Sequence, residues 1–160
     1  MAVTAVVFDV GETLVDEAAT YARWEQEGIE AAAFTARDLH DDALDCLAAL
    51  RGRGLRLGAA GNMRAVHEEF LRELVDFVGS SESWGVRKPA SGFFERMAAE
   101  AGAAPAEIAY VGDRVDNDVL PALAAGMTAV HVRRGSWANV DPPEEAIRIG
   151  SLAELPEALA

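Results

Sequence analysis

Two aspartates sit beside glycines where apolar runs stop: Asp9 in Phe8-Asp9-Val10-Gly11, and Asp113 in Val111-Gly112-Asp113. Asp116 and Asp118 follow the second, and Lys88 lies between the two in Arg87-Lys88-Pro89. If both runs are strands of one parallel sheet, their carboxyl ends share an edge, which is where such sheets bind ligands. Three or four carboxylates and one ammonium group then converge. Carboxylates that close repel one another unless a hard divalent cation neutralises them, and Mg²⁺ suits one or two carboxylates plus water and phosphate oxygens. A lysine beside them keeps a carboxylate ionised and meets the charge of a transferring phosphoryl group. Asp before Gly is also ordinary turn chemistry; its recurrence at Asp113 favours a site.

The elements that must position these groups are legible in outline. Ala2–Phe8 is apolar except for Thr4 and rich in β-branched residues, as a strand buried on both faces would be. From Glu17 to His40 the pattern is helical, with Tyr21, Trp24, Gly28, Ala31 and Ala32 near one face and Gly28 a point where it divides in two. Asp41 or Asp42 caps a helix running to about Arg53, its stripe being Ala43, Leu44, Leu47 and Leu50. Leu55–Ala60 is a second strand, leading into Gly61-Asn62. Val66, Phe70 and Leu74 mark a third helix. A short strand spans Asp76–Gly79, a loop Ser80–Pro89, and a helix carries Phe93, Phe94, Met97 and Ala101 to Gly102. Glu107–Val111 is the fourth strand, Asn117–Ala125 a helix, and Thr128–Val132 the fifth strand. Arg133–Pro143 reads as irregular, and Ser151 with Glu154 has capping-box spacing. Strands alternating with helices give right-handed crossovers and a parallel five-stranded α/β sheet covered on both faces.

The totals set limits. With 160 residues and 51% apolar content, the chain reads as a single domain, 1–160, with a real core. No apolar run reaches membrane-spanning length, and the N-terminal run leads into Asp9 rather than having a signal-peptide layout. The lone Cys46 cannot pair internally and falls on a helix stripe, so a reducing cytoplasm is the expected setting and a small core residue the expected role. A net charge of −13 repels nucleic acid and anionic membranes, and phosphorylated substrates too unless a metal or a placed lysine reverses the sign locally. His40, His67 and His131 share no spacing and read as structural. Asp116 reads as a helix N-terminal charge and Asn117 as a cap. Trp84 and Trp137 fall in loops, where partial burial is the default and lining a substrate mouth the alternative.

The motif order resembles that of the haloacid dehalogenase-like (HAD) hydrolase superfamily over roughly residues 3 to 135. Phe8-Asp9-Val10-Gly11-Glu12-Thr13-Leu14 is similar to its first motif and Gly61-Asn62 stands where its second belongs. Lys88-Pro89 resembles the third, and Val111-Gly112-Asp113-Arg114-Val115-Asp116-Asn117-Asp118 the acidic fourth. The resemblance implies a three-layer Rossmann-like sheet ordered 5-4-1-2-3 and a Mg²⁺-dependent phosphatase working through an aspartyl-phosphate on Asp9. It implies Asp9, the Gly11 carbonyl and Asp113 as metal ligands, with Lys88 neutralising Asp9 and the phosphoryl oxygens. Gly61 and Asn62 would bind phosphate, Thr13 would support the loop, and Asp118 would orient Lys88. The partner would be a phosphorylated small molecule or an exposed phosphate on a larger substrate.

Two departures from that pattern matter. Position 11, where phosphatases of the family carry a second Asp for proton transfer, is Gly, and general acid–base help is worth about 10²–10⁴-fold. Glu12 is adjacent, but neighbouring residues in an extended or turn segment point different ways. The usual cap insertion is reduced to a short helical segment at about 17–40, so an open catalytic edge is expected. The expected function is therefore a slow phosphohydrolase. The alternative is a non-catalytic or regulatory protein that binds metal and a phosphorylated ligand. A receiver-domain reading fits poorly, because the acids follow the fourth strand rather than the first, and the acidic fourth motif argues against metal-independent dehalogenation.

Overall fold

The computed structural model describes residues 2–160. Its core is one parallel sheet of six strands in the order β3-β2-β1-β4-β5-β6: β1 Ala5–Phe8, β2 Arg56–Gly61, β3 Phe77–Ser80, β4 Ile108–Gly112, β5 Thr128–Val132 and β6 Ile147–Ile149. The expected order of the first five strands is present. The count of five is corrected, because β6 adds beside β5, pairing Val130 with Ile147. Three residues with an exposed Arg148 in the middle carry too little periodicity to be read as a strand.

Strand β1 is central and completely buried, as its composition requires. Its side chains alternate between two cores. Val6 and Phe8 face Cys46, Leu47 and Leu50 of helix α2 (Ala43–Gly52) and Leu155 of α7 (Leu155–Ala158). Ala5 and Val7 face Phe93, Phe94 and Met97 of α5 (Ser91–Ala101) and Ala122 of α6 (Leu120–Ala124). Phe8 pairs with Ala59 of β2 and Val111 of β4, and the Asp9 N–H donates to the Val111 carbonyl at 2.8 Å. This register brings Asp9, Gly61 and Asp113 to one edge.

Several elements differ from their sequence pattern. The helix expected over 17–40 is α1, Glu17–Glu27, which stops at Gly28 in the left-handed region (φ 69°). Beyond it the chain is irregular apart from one turn at Ala36–Asp38. The stripe read from Val66, Phe70 and Leu74 is a turn at Ala65–His67 and a short α3 (Glu68–Arg72). His67 and Glu68 are buried there and Val66 is 43% exposed. The loop expected over Ser80–Pro89 contains a single helical turn, α4 (Ser81–Trp84), capped by the Ser80 hydroxyl. The helix expected from Asn117 opens as a π-helical turn, Val115–Val119, before α6. Asp42 precedes α2 but does not cap it with its side chain. That carboxylate instead accepts from Arg134, the Ser151 hydroxyl and the Leu152 N–H, tying the C-terminal segment to α2. The Ser151–Glu154 capping box is present.

Cys46 is buried in the core, and burial pushes its thiol up to about 12, as an inert packing residue requires. No helix among the described residues is long and apolar enough to cross a membrane.

Packing between β2 and β3 leaves no room at Gly58, where a Cβ would lie 2.3 Å from the Phe77 ring. Gly58→Ala is expected to cost about 1–3 kcal/mol through overpacking, read as a lower denaturant midpoint with an unchanged slope.

Candidate active site

Asp9 leaves β1 at the sheet edge, and the next four residues fold into a tight loop in which Leu14 and Val15 N–H groups return to the Val10 carbonyl. Glu12 takes positive φ (63°) inside this loop. Its carboxylate accepts the Ala18 N–H at 3.0 Å, so it serves the start of α1. The Thr13 hydroxyl lies 3.2 Å from Asp9 Oδ2 and 3.3 Å from Asp113 Oδ1, bridging the ends of β1 and β4.

Lys88 is the ionic centre. Its buried Nζ donates to Asp118 Oδ1 at 2.5 Å, Asp9 Oδ1 at 2.7 Å and the Tyr110 hydroxyl at 3.1 Å. The Tyr110 hydroxyl itself donates a hydrogen bond to the Ala60 carbonyl at 2.8 Å. Burial alone would push the ammonium down, but the Asp118 and Asp9 carboxylates outweigh it and hold Lys88 well above the usual lysine range. Asn62 spends both polar atoms on the Lys88 backbone, accepting its N–H at 2.8 Å and donating to its carbonyl at 3.0 Å. The Asn62 side chain thus holds the Lys88 backbone in place. The Lys88–Pro89 peptide bond is cis.

The carboxylate oxygens of Asp9, Asp113 and Asp118 lie within 4.8 Å of one another, and all three residues are buried. Burial, and then the negative charge of Asp9, push Asp113 up to about 9; burial and Asp9 push Asp118 to about 6 against the pull of Lys88. One lysine does not offset three buried acids. A hard divalent cation fits this donor set, with Asp118 committed to Lys88 and Asp9 and Asp113 facing each other. Asp118 turns back on Gly112, where a Cβ would sit 2.4 Å from it, and accepts the Arg114 N–H at 3.0 Å. His131 Nε2 lies 2.9 Å from the Asp113 carbonyl and steadies that loop from β5.

These groups form the floor of a cleft of about 830 Å³. Its wall is the reduced cap. Glu17, Tyr21 and Trp24 of α1 line it, with Phe34 stacked on His67 at 3.9 Å and on Trp24 at 5.8 Å. The short segment after the Asp9 loop thus gives the cleft one built side. Glu17 is half-buried in that wall. Burial, then the charges of Asp9 and Glu12, raise its carboxyl above the usual range, against the Tyr21 hydroxyl. Trp137 lines the opposite side beneath the Arg114 guanidinium at 5.2 Å, while Trp84 packs on Phe93 away from the cleft. Asp116 pairs with Arg114. His40 falls near Glu12 and Asp16, but Asp16 caps α1 through the Ala19 N–H, and both carboxylates serve that helix start.

The structure thus brings Asp9, Gly11, Thr13, Gly61, Asn62, Lys88, Asp113 and Asp118 together. Reading the sequence missed Tyr110, His131 and Glu17. Tyr110 and His131 look like ordinary strand residues, and only strand pairing places them behind the site.

A HAD-hydrolase-like family model matches residues 85–154, which include Lys88 and the acidic segment. Over 113 residues the chain is 35% identical to a glyceraldehyde 3-phosphate phosphatase of Methanopyrus kandleri, covering 64% of this chain and 47% of that protein. A protein of the same description from Methanocaldococcus jannaschii is 34% identical, with 66% and 50% covered. The chain is thus similar to HAD-like hydrolases over these residues. It spans about half the length of these curated relatives. The fold agrees with that of a HAD phosphatase from Thermococcus onnurineus (TM-score 0.75, 21% identity, 100% of this chain and 98% of that one). It also agrees with a magnesium-bound HAD-hydrolase from Bacillus subtilis (TM-score 0.78, 16% identity, 99% of each).

Removing the buried ammonium leaves the two buried carboxylates of Asp9 and Asp118 without a countercharge. Lys88→Met is expected to lose about 3–5 kcal/mol of unfolding free energy in the metal-free protein, measured by denaturant titration.

Proposed function

We propose that this HAD-like chain is a Mg²⁺-dependent phosphatase that acts on phosphorylated small molecules through Asp9. The observation that carries the reading is the buried cluster of Asp9, Asp113 and Asp118 around one ammonium group, at the floor of a cleft large enough for a small ligand. The names of the curated relatives support phosphate-ester chemistry and suggest a phosphorylated triose-sized compound as a first substrate to try.

In this reading Asp9 Oδ attacks phosphorus and the ester oxygen leaves, giving an aspartyl-phosphate that water then hydrolyses. Asp9, Asp113 and the Gly11 carbonyl would hold Mg²⁺, which supplies charge neutralisation between the nucleophile and the phosphoryl oxygens. Lys88 pairs with Asp9 and offsets phosphoryl charge. Thr13 and Asp118 hold Asp9 and Lys88 in position, Asn62 fixes the lysine backbone, and backbone N–H groups around Gly61 face the phosphate.

Gly11 favours one rival reading, a protein that binds metal and a phosphorylated ligand without efficient turnover. The nucleophile loop itself carries no proton donor, and such help is worth about 10²–10⁴-fold. Without a donor from elsewhere in the cleft, turnover is confined to esters whose leaving group departs unprotonated.

With aryl and triose phosphates, activity is expected to vanish in EDTA and return with Mg²⁺. Asp9→Asn should lower the rate by more than about 1,000-fold while keeping the far-UV circular dichroism of the parent. Calorimetric binding of Mg²⁺ and inorganic phosphate without turnover of any ester would replace the enzyme reading with the binding one.

A further inference from the structure

Glu17 occupies the space that a side chain at position 11 would fill. A Cβ built on Gly11 would lie 2.3 Å from Glu17 Oε2, 3.0 Å from its Cδ and 3.4 Å from Oε1. An aspartate at 11 and Glu17 in this rotamer exclude one another. We propose that Glu17, from the first turn of α1, is the carboxyl that moves the proton in the reaction at Asp9. The inference rests on the phosphatase reading and adds a group to it that the nucleophile loop lacks.

The other acids that line the cleft are committed or misplaced. Asp118 is bound to Lys88 and to the Arg114 N–H, and Asp113 shares the Thr13 hydroxyl with Asp9. Glu12, the sequence neighbour of the missing side chain, has one carboxylate oxygen on the Ala18 N–H and the other beside Gly135. Glu25 and Glu30 are exposed on the far part of the cap. Glu17 lines the cleft, half-buried, with its carboxylate against Gly11, two residues from Asp9.

Its placement is built. Asp16 caps α1 by accepting the Ala19 N–H, which fixes the first turn. Glu17, Thr20, Tyr21 and Trp24 stand at i, i+3, i+4 and i+7, one stripe of the helix. Thr20 and Trp24 are buried, and Thr20 donates to Asp38 at 3.1 Å. Thr20 and Trp24 thus anchor the stripe while Tyr21 stays half exposed, and Glu17, its first member, faces the Asp9 loop.

The chemistry balances without another reactant than water. As Asp9 Oδ bonds to phosphorus and the phosphorus–ester oxygen bond breaks, protonated Glu17 gives its proton to that oxygen and the alcohol leaves. Glu17, now a carboxylate, takes a proton from the water that attacks the aspartyl-phosphate. The bond between phosphorus and Asp9 breaks, inorganic phosphate departs, and both carboxyl groups return to their starting states.

The test uses 4-nitrophenyl phosphate with the Mg²⁺-loaded protein, because nitrophenolate leaves without needing a proton. Glu17→Gln keeps the shape of the side chain on a half-exposed helix position. It is expected to release a burst of about one nitrophenolate per chain, then to turn over about 100-fold or more slowly, with a phosphoryl group on the chain by intact mass. The double change Gly11→Asp with Glu17→Ala, which moves the carboxyl onto the loop and removes the clash, should recover at least about 10-fold of the rate lost by Glu17→Ala alone. Glu17→Gln turning over within a few-fold of the parent, or slowing without a burst or a trapped phosphoryl group, overturns the role of Glu17. Asp9→Asn is the control that separates the two readings: a parent that is inactive, or an Asp9→Asn variant as active as the parent, removes the phosphatase reading itself.

Discussion

A single buried ammonium group organises this protein's functional edge. Lys88 Nζ is bound by two carboxylates and a phenol contributed by β1, β4 and the turn after β4. Charges taken that far from water are costly unless they are paired and fully hydrogen-bonded. The surroundings meet that requirement in layers. Asn62 fixes the lysine backbone, Tyr110 relays to the Ala60 carbonyl, and the Arg114 N–H holds Asp118. One positive charge still faces three acids, a surplus that a hard divalent cation would neutralise. With a net charge of −13, the phosphorylated ligand of the proposed reading would approach against the field of the whole molecule, and the local ammonium group offsets that field at the site.

The glycines at this edge record where carboxylates need volume. Gly112 makes room for Asp118, and a Cβ on Gly61 would come within 3.1 Å of Asp9 Oδ1. Gly11 makes room for Glu17. Position 11, which looks like the loss of an acid against a family pattern, is in this chain the place where a carboxylate from α1 comes to rest. The chemistry of a site is thus distributed over the loop and its neighbours, and a vacancy in one has meaning only beside the other.

The reduced cap has a matching logic. Gly28 ends α1, and the chain beyond it folds back so that Phe34 stacks between Trp24 and His67. The Phe34 N–H donates to His67 Nδ1 at 3.1 Å, tying the cap to the turn after β2. A short insertion with this anchorage forms one wall of the cleft.

Asp9, Lys88, Asp113 and Asp118 were legible as a group because each follows a strand signal or sits in a short motif, and parallel strands must end on one edge. The buried character of β1 and the helix stripes of α2 and α5 were legible for the same reason: burial leaves a period. What the sequence could not contain were contacts with no local signature. Strand β6 is three residues long and takes its identity from pairing with β5. The hold of Asn62 on the backbone of Lys88, 26 residues away, has no local signature. The exchange between Gly11 and Glu17 depends on the angle at which α1 leaves the nucleophile loop, which is set by Asp16, Thr20 and Trp24 packing against distant residues. Residue type and spacing determined which chemistry this chain carries. Tertiary packing decided which side chain stands at each place in it, because that depends on distances no one-dimensional pattern holds.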